Sequence, residues 1–186
     1  MGSVGIDLGL KDSATASNGD KLTIKQTLKY AKQLAIAQRS NNKKRIKAIH
    51  AKIKNTRQDL IHKFTTQLVK DNALIVVGDV KTTQFNSKKG KLAKSVYDAG
   101  WFELKRQLTY KCENAGCRFE IVSERYTTQT CSCCGDMSSS PKGRAGLRIR
   151  EWTCAMCGTW HDRDINASRN ILAVGLNRLV EGIPSL

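Results

Sequence analysis

Short apolar runs alternate with long stretches of helical periodicity along this chain. Residues 4–9 form an apolar run that predicts a buried strand, and residues 13–17 follow as its antiparallel partner across a short turn. Apolar residues recur at three- and four-residue steps over 24–70, with a break at 40–42, which predicts two helices. The continuous apolar run over 73–80 predicts a central strand.

The second half repeats this alternation. Residues 81–92 are polar and basic, which is typical of a loop, and 93–114 have helical periodicity closed by Gly116. A further strand is predicted over 118–122, and a last helix over 162–179. This order of elements predicts an α/β fold with helices on both faces of one sheet.

Two aspartates stand out against this pattern. Asp7 lies inside a core strand, where a carboxylate is costly unless a cation compensates it, so it is a candidate metal ligand. Asp164 begins the last helix, far away in sequence, and phosphodiester hydrolysis by two divalent ions needs carboxylates from separate elements. Taken alone, either residue could be a paired acid, and Asp162 or Asp164 could simply cap the helix.

The charge indicates a polyanionic partner. Lysine and arginine total 32 against 16 acidic residues, a net charge of +16, which favours nucleic acid over an anionic membrane surface. No apolar run is long enough to span a bilayer, so we expect no membrane and a cytoplasmic location. Positive charge concentrates on the central helices, where we predict contacts to nucleic-acid phosphates, although a solvated helix face is the simpler interpretation. The predicted contact residues are Lys43, Lys44, Arg45, Lys47, Lys52 and Arg57.

Seven cysteines include two C-x2-C-G motifs, at 131–135 and 154–158, with the spacing of a four-cysteine zinc ribbon. The predicted zinc ligands are Cys131, Cys134, Cys154 and Cys157. Cys133 offers an alternative C-x-C pair with Cys131, and buried or disulfide-bonded cysteines are the other interpretation. A closed site with four cysteine ligands is structural, so any chemistry must lie elsewhere.

Three motifs together resemble the TnpB proteins of bacterial insertion sequences, relatives of type V CRISPR effector nucleases. They are GIDLG at 5–9, TQTC at 128–131 with both C-x2-C-G motifs, and DRDINA at 162–167. The resemblance implies an RNase H-like (RuvC) nuclease over 1–124 and 161–186, interrupted at 125–160 by a zinc ribbon that binds target nucleic acid. It also implies a Mg-dependent, RNA-guided DNA endonuclease, with a guide RNA from the transposon end and a target DNA.

The resemblance makes Asp7 the first catalytic carboxylate and Asp164 the last, but the middle position departs from the family pattern. Family members usually end the central strand with Ile-Glu-Asp-Leu, so their glutamate falls on Gly78. Asp79 should point to the opposite face of the sheet. We therefore expect Glu124, which ends the next strand, to supply a relocated carboxylate. The alternative is a nuclease-inactive binding protein in which Glu124 pairs with Arg125 or a lysine.

The length also departs from the pattern. Family members generally carry an N-terminal recognition region before the first catalytic strand, whereas this strand begins almost at Met1. We therefore expect either an excised nuclease half or a truncated gene product. The missing recognition half would then be a partner of this chain. The expected location is the bacterial cytoplasm, in association with the nucleoid. A stand-alone RNase H-like resolvase would share the fold without explaining the ribbon.

Overall fold

The computed structural model describes residues 2–80, 91–137, 140–142, 146 and 148–180, with only the backbone described for 91–94. Its strands are β1 (Gly2–Asp7), β2 (Ala14–Ala16), β3 (Lys21–Leu22), β4 (Asn72–Gly78), β5 (Arg118–Val122), β6 (Glu151–Thr153) and β7 (Trp160–Asp162). Its helices are α1 (Gln26–Lys29), α2 (Ala31–Arg39), α3 (Lys43–Asp71), α4 (Lys91–Ala99), α5 (Trp101–Ala115) and α6 (Arg163–Val180).

Five strands form one mixed sheet in the order β3-β2-β1-β4-β5. The predicted hairpin is confirmed, because β1 and β2 pair antiparallel with Ile6 opposite Ala16. Strands β1, β4 and β5 run parallel, with Ile6 beside Val77 and Gly78 beside Val122. β6 and β7 form a separate two-stranded sheet. The mixed α/β fold expected from the sequence is therefore present.

Helices cover both faces of the large sheet, as predicted. Alternate residues of β4 point to opposite faces, as in any strand. Ile75 and Val77 belong to the main core, which includes apolar residues of α3 and α5. Val76 packs on the other side in a smaller cluster with Ile171 of α6. The sheet is thus the middle layer of three, with α6 on the second face.

Helix α6 approaches β1 unusually closely at Gly5. A Cβ on Gly5 would lie 2.0 Å from the carbonyl oxygen of Ser168 and 2.7 Å from the amide nitrogen of Leu172. Both are backbone atoms of α6, so a side chain at this position would push the helix away from the strand. Gly5 therefore sets the distance between β1, which carries Asp7, and the helix that carries Asp164.

Several boundaries differ from the predictions. The break at 40–42 is confirmed, and the Asn42 side chain caps α3 by accepting from the Arg45 amide at 3.0 Å. The helix predicted over 93–114 is instead two helices, because Gly100 between them has a left-handed backbone with φ of +70°. The loop predicted over 81–92 lies mostly outside the described residues, and α4 already begins at Lys91. No helix in the described part of the chain is long and apolar enough to cross a membrane.

Candidate metal centres

Three candidate positions lie at the carboxyl ends of the parallel strands, along one edge of the sheet. Asp7 ends β1, Gly78 ends β4, and Glu124 follows β5 by two residues. Because the carboxyl ends of parallel strands lie side by side, these positions converge although they are far apart in sequence. Asp164 joins them from the first turn of α6.

The three predicted carboxylates line a single cavity of about 330 Å³. Other lining residues include Thr127, Thr128, Arg150 and Arg163. Burial, followed by the nearby Asp164 and Glu124 carboxylates, raises the pKa of Asp7 from 3.8 to about 7. Burial and then Asp79 also raise the pKa of Glu124. Arg163 and Arg150 act to lower the pKa of Asp7, but they do not offset burial and the two carboxylates.

Glu124 occupies the space beside Gly78. A Cβ built on Gly78 would lie 3.4 Å from the Glu124 Cβ and 3.5 Å from its Oε2. The carboxylate of Glu124 therefore stands within ordinary contact distance of where a side chain at residue 78 would begin. This is the arrangement expected if the two positions serve the same site.

Asp79, the adjacent acid, is used differently. Its carboxylate accepts a hydrogen bond from Lys105 Nζ at 3.1 Å, and its side chain is 45% exposed. It does not line the carboxylate cavity. The sequence-based expectation that Asp79 cannot simply replace a glutamate at position 78 agrees with this placement.

The two aspartates at the start of α6 have separate partners. Asp162 Oδ1 accepts from the amides of Asp164 at 2.9 Å and Ile165 at 3.1 Å, so Asp162 caps the helix. Burial acts to raise the pKa of Asp162, but the Ile165 amide and the Lys21 ammonium outweigh it and lower the pKa. Asp164 instead faces the cavity.

An arginine that the sequence analysis missed contacts Asp164. Arg150 Nη1 lies 3.2 and 3.3 Å from the two carboxylate oxygens of Asp164. Arg150 immediately precedes β6, inside the predicted ribbon, so this segment reaches the cavity directly. The only available signal was the clustering of basic residues in the ribbon, which does not identify one arginine.

The four predicted cysteines form a compact cluster. Their sulfur atoms all lie within 4.8 Å of one another. The Cys131–Cys157 and Cys134–Cys154 sulfur separations are both 3.7 Å. Zn–S bonds of about 2.3 Å in a tetrahedron place sulfurs about 3.8 Å apart, so the spacing fits zinc.

Cys133 is exposed and lies outside this cluster, so the C-x-C alternative is not the one adopted. Side-chain and backbone hydrogen bonds with Thr159 lower the pKa of Cys157 to about 6, whereas burial raises the pKa of Cys131, so the case for a metal rests on the sulfur spacing and not on these pKa values. A buried histidine, His161, places Nε2 3.1 Å from the Cys131 sulfur. The sequence analysis did not identify it.

Five of the six predicted phosphate-contacting residues are exposed on α3, and we call them the basic face. They are Lys43, Lys44, Arg45, Lys47 and Lys52. Arg57 is a correction, because it is only 9% exposed. Its guanidinium lies 3.7 Å from Asp98 Oδ1 and stacks 4.6 Å from the Tyr97 ring centre. Arg57 therefore holds α3 against the end of α4 and is not free to meet a phosphate.

Comparisons with known proteins cover most of the chain. Residues 2–87 match the family model described as "Probable transposase". Residues 101–171 match the model described as "Cas12f1-like, TNB domain". The second match begins in α5 and ends in α6, so it extends beyond the predicted ribbon over 125–160.

The relatives include longer proteins. A Streptomyces pristinaespiralis protein named "Putative RNA-guided DNA endonuclease" is 39% identical over 93% of this chain and 45% of its own length. "TnpB-like protein L79" of Acanthamoeba polyphaga mimivirus is 30% identical over 70% of this chain and 25% of its own length. The chain thus spans less than half of these relatives.

A solved structure shares the fold. The protein chain in "Cryo-EM structure of the Cas12f1-sgRNA-target DNA complex" matches with a TM-score of 0.66. The match covers 91% of this chain and 49% of that chain at 17% identity. At this sequence identity, the structural match shows a shared fold and nothing about function.

Proposed function

Since this chain belongs to the TnpB family of insertion-sequence proteins, we propose that it is the nuclease portion of an RNA-guided DNA endonuclease. Its partners are then a guide RNA from the transposon end and a target DNA. Residues 1–124 and 161–186 form the RNase H-like (RuvC) nuclease, and 125–160 form the ribbon that contacts target nucleic acid. The mixed sheet and the likeness to the Cas12f1 chain support this assignment.

One observation carries the proposal of catalysis. The Glu124 carboxylate stands 3.5 Å from where a Cβ at residue 78 would lie, and it lines one cavity with Asp7 and Asp164. A protein that only binds nucleic acid has no need to compensate for a glycine at this position. Glu124 therefore serves as the relocated middle carboxylate of the nuclease site.

The cavity fits magnesium, which prefers carboxylate and water oxygens. Three carboxylates face one space, and a divalent cation there would offset both the burial and the neighbouring negative charge that raise the pKa of Asp7. Bound there, magnesium would activate water and stabilise the leaving oxygen of a phosphodiester. Asp7, Glu124 and Asp164 would be its protein ligands. The four cysteines would hold a structural zinc, as their sulfur spacing supports.

The surrounding residues complete the site. Arg150 pairs with Asp164 at the cavity, and Lys105 pairs with Asp79. Arg150 and Arg163 supply positive charge where a phosphate would enter. The basic face of α3 contacts the sugar-phosphate backbone away from the cavity.

The test is cleavage of target DNA by an assembly containing this chain, a guide RNA and the additional segment of a longer relative. We expect Mg-dependent cleavage that Asp7→Ala, Glu124→Ala and Asp164→Ala each abolish. Asp79→Asn serves as the matched control and should cost far less. Moving the acid back, as Gly78→Glu with Glu124→Ala, should restore part of the activity.

Two results would contradict the proposal in different ways. Normal cleavage by Glu124→Ala would mean that the carboxylate is not relocated to this residue. An assembly that binds target DNA with the expected guide dependence but never cleaves would favour the second candidate, a nuclease-inactive RNA-guided binding protein. The Arg150–Asp164 ion pair is the observation that keeps this candidate open, because it occupies one of the carboxylates.

A further inference from the structure

Two asparagines on one face of α6 hold the segment that precedes and enters the first cysteine motif. Asn166 Nδ2 donates to the carbonyls of Thr130 at 2.8 Å and Thr127 at 3.3 Å. Asn170 Nδ2 donates to the same two carbonyls at 2.7 and 2.8 Å. The two residues are four apart and therefore neighbours on the helix surface. The two side-chain amides thus donate four hydrogen bonds to two backbone carbonyls that lie outside any helix or strand.

The segment held in this way joins the two candidate metal sites. At one end, the Thr127 hydroxyl and amide donate to the Glu124 carbonyl at 2.8 and 3.2 Å, forming a tight turn. Thr127 also lines the carboxylate cavity. At the other end, the Ser132 amide donates to Asn166 Oδ1 at 2.8 Å, one residue after the cysteine ligand Cys131. Glu124 and Cys131 are thus the two ends of one clamped loop.

The helix that provides the clamp also positions the other two carboxylates. Asp164 lies two residues before Asn166, in the first turn of α6. The backbone of α6 meets β1 at Gly5, two residues before Asp7, with no room for a side chain between them. Asn166 is 1% exposed, so its amide has no access to water as a substitute partner. Movement of the first cysteine motif would therefore move Glu124 relative to Asp7 and Asp164.

We propose that Asn166 and Asn170 are positioning residues that couple the two metal sites, so that metal at the four cysteines strengthens divalent-cation binding at the carboxylates. This inference rests on the proposed nuclease function. Coupling between binding sites is reciprocal, so a cation in the carboxylate cavity also strengthens retention of the cysteine-bound metal. The clamp gives the ribbon a role inside the catalytic site in addition to contact with nucleic acid.

The test uses the full chain and measures Mn²⁺ binding by electron paramagnetic resonance, with and without metal at the cysteines. Removing the cysteine metal from the wild-type chain should weaken Mn²⁺ binding. Asn170→Asp keeps the side-chain shape but loses the donors, and we expect it to weaken Mn²⁺ binding about tenfold with zinc still bound. A new negative charge would by itself attract Mn²⁺, so a loss of affinity cannot be a simple charge effect.

Two further variants separate the clamp from general damage. Asn177→Asp adds the same charge at an exposed position of the same helix and should not weaken Mn²⁺ binding. Asn170→Ala removes the donors without adding charge and should reproduce the loss. In both Asn170 variants, removal of the cysteine metal should cause a smaller loss than in the wild type, since Asn166 still holds the same two carbonyls. The cobalt-substituted spectrum of the cysteine site should stay unchanged, which shows that the ribbon is folded.

Three results would overturn the coupling between the two metal sites. Wild-type affinity in Asn170→Asp and Asn170→Ala, or an unaltered dependence on the cysteine metal, overturns the coupling and leaves the nuclease proposal intact. Failure of the wild-type chain to bind Mn²⁺, with no difference from Asp7→Asn, overturns the carboxylate site and the coupling together. An altered cobalt spectrum in Asn170→Ala would show that the amide shapes the cysteine site itself, which also overturns the clamp as proposed.

Discussion

Replacing Asp7 with asparagine should stabilise the chain at neutral pH in the absence of magnesium. In the folded chain, burial and the two neighbouring carboxylates raise the pKa of Asp7 to about 7, against 3.8 normally. Between these values the folded state keeps a proton that the unfolded state releases. The wild-type free energy of unfolding therefore falls as the pH rises from about 4 to about 7, and asparagine removes this dependence.

The size of the effect follows from the same values. The interval from 3.8 to about 7 is close to three pH units, and each unit corresponds to about 1.4 kcal/mol. Asparagine should therefore stabilise the chain by roughly 4 kcal/mol at pH 7 and by almost nothing near pH 4. Because stabilities of domains are about 5–15 kcal/mol, the difference is well within measurement.

The assay is urea unfolding at a series of pH values in magnesium-free buffer, with zinc retained and no strong chelator present. Asp20→Asn, at an exposed position of the adjoining hairpin, is the control and should keep the wild-type pH slope. Added Mg²⁺ should stabilise the wild type more than Asp7→Asn, since a ligand stabilises the state that binds it. Parallel pH profiles for the wild type and Asp7→Asn would refute the reasoning, because folding would then not raise the pKa of Asp7.

Four other predictions concern the rest of the chain. Cys134→Ser should lose zinc and Cys133→Ser should keep it, as measured by elemental analysis of gently purified protein; zinc loss from both would contradict the ligand assignment. Reversing three charges of the basic face should reduce the slope of log binding constant against log salt concentration for DNA by about 0.9 per lost phosphate contact. An unchanged slope would mean that this face of α3 is only a solvated surface. Arg57→Gln should lower the unfolding midpoint and leave that slope unchanged. Gly5→Ala should destabilise strongly in thermal unfolding, because its Cβ would lie 2.0 Å from a backbone oxygen; a wild-type midpoint would mean that α6 can shift.

Local patterns in the sequence were sufficient for the elements and for the cysteine cluster. Hydrophobic periodicity placed β1, β2, β4, β5 and α6 to within a few residues, because one buried face imposes its period on the sequence. The cysteine motifs were recognisable because each pair of ligands is held by a single turn, so their spacing along the chain is also their spacing in space. The short strands β3, β6 and β7 were missed, since two or three residues carry no measurable period.

Asp7 and Asp164 stood out as single candidates in the sequence, but the middle carboxylate was identified only through resemblance to a family, because the three come from separate elements. That Glu124 stands beside Gly78 depends on the parallel pairing of β4 with β5, which no local pattern encodes. The burial of Arg57 could not be predicted either, since a basic residue on a helix has the same sequence pattern whether it faces water or Asp98.

The contacts of Arg150 and of the Asn166 and Asn170 amides could not be predicted from the sequence for the same reason. Long-range contacts depend on how elements pack, and the close approach of α6 to β1 decides which polar groups meet at the end of the sheet. The chain's periodicity and motif spacing determine its elements and its cysteine ligands, whereas only packing decides which carboxylates share a cavity and which arginines are free to reach it.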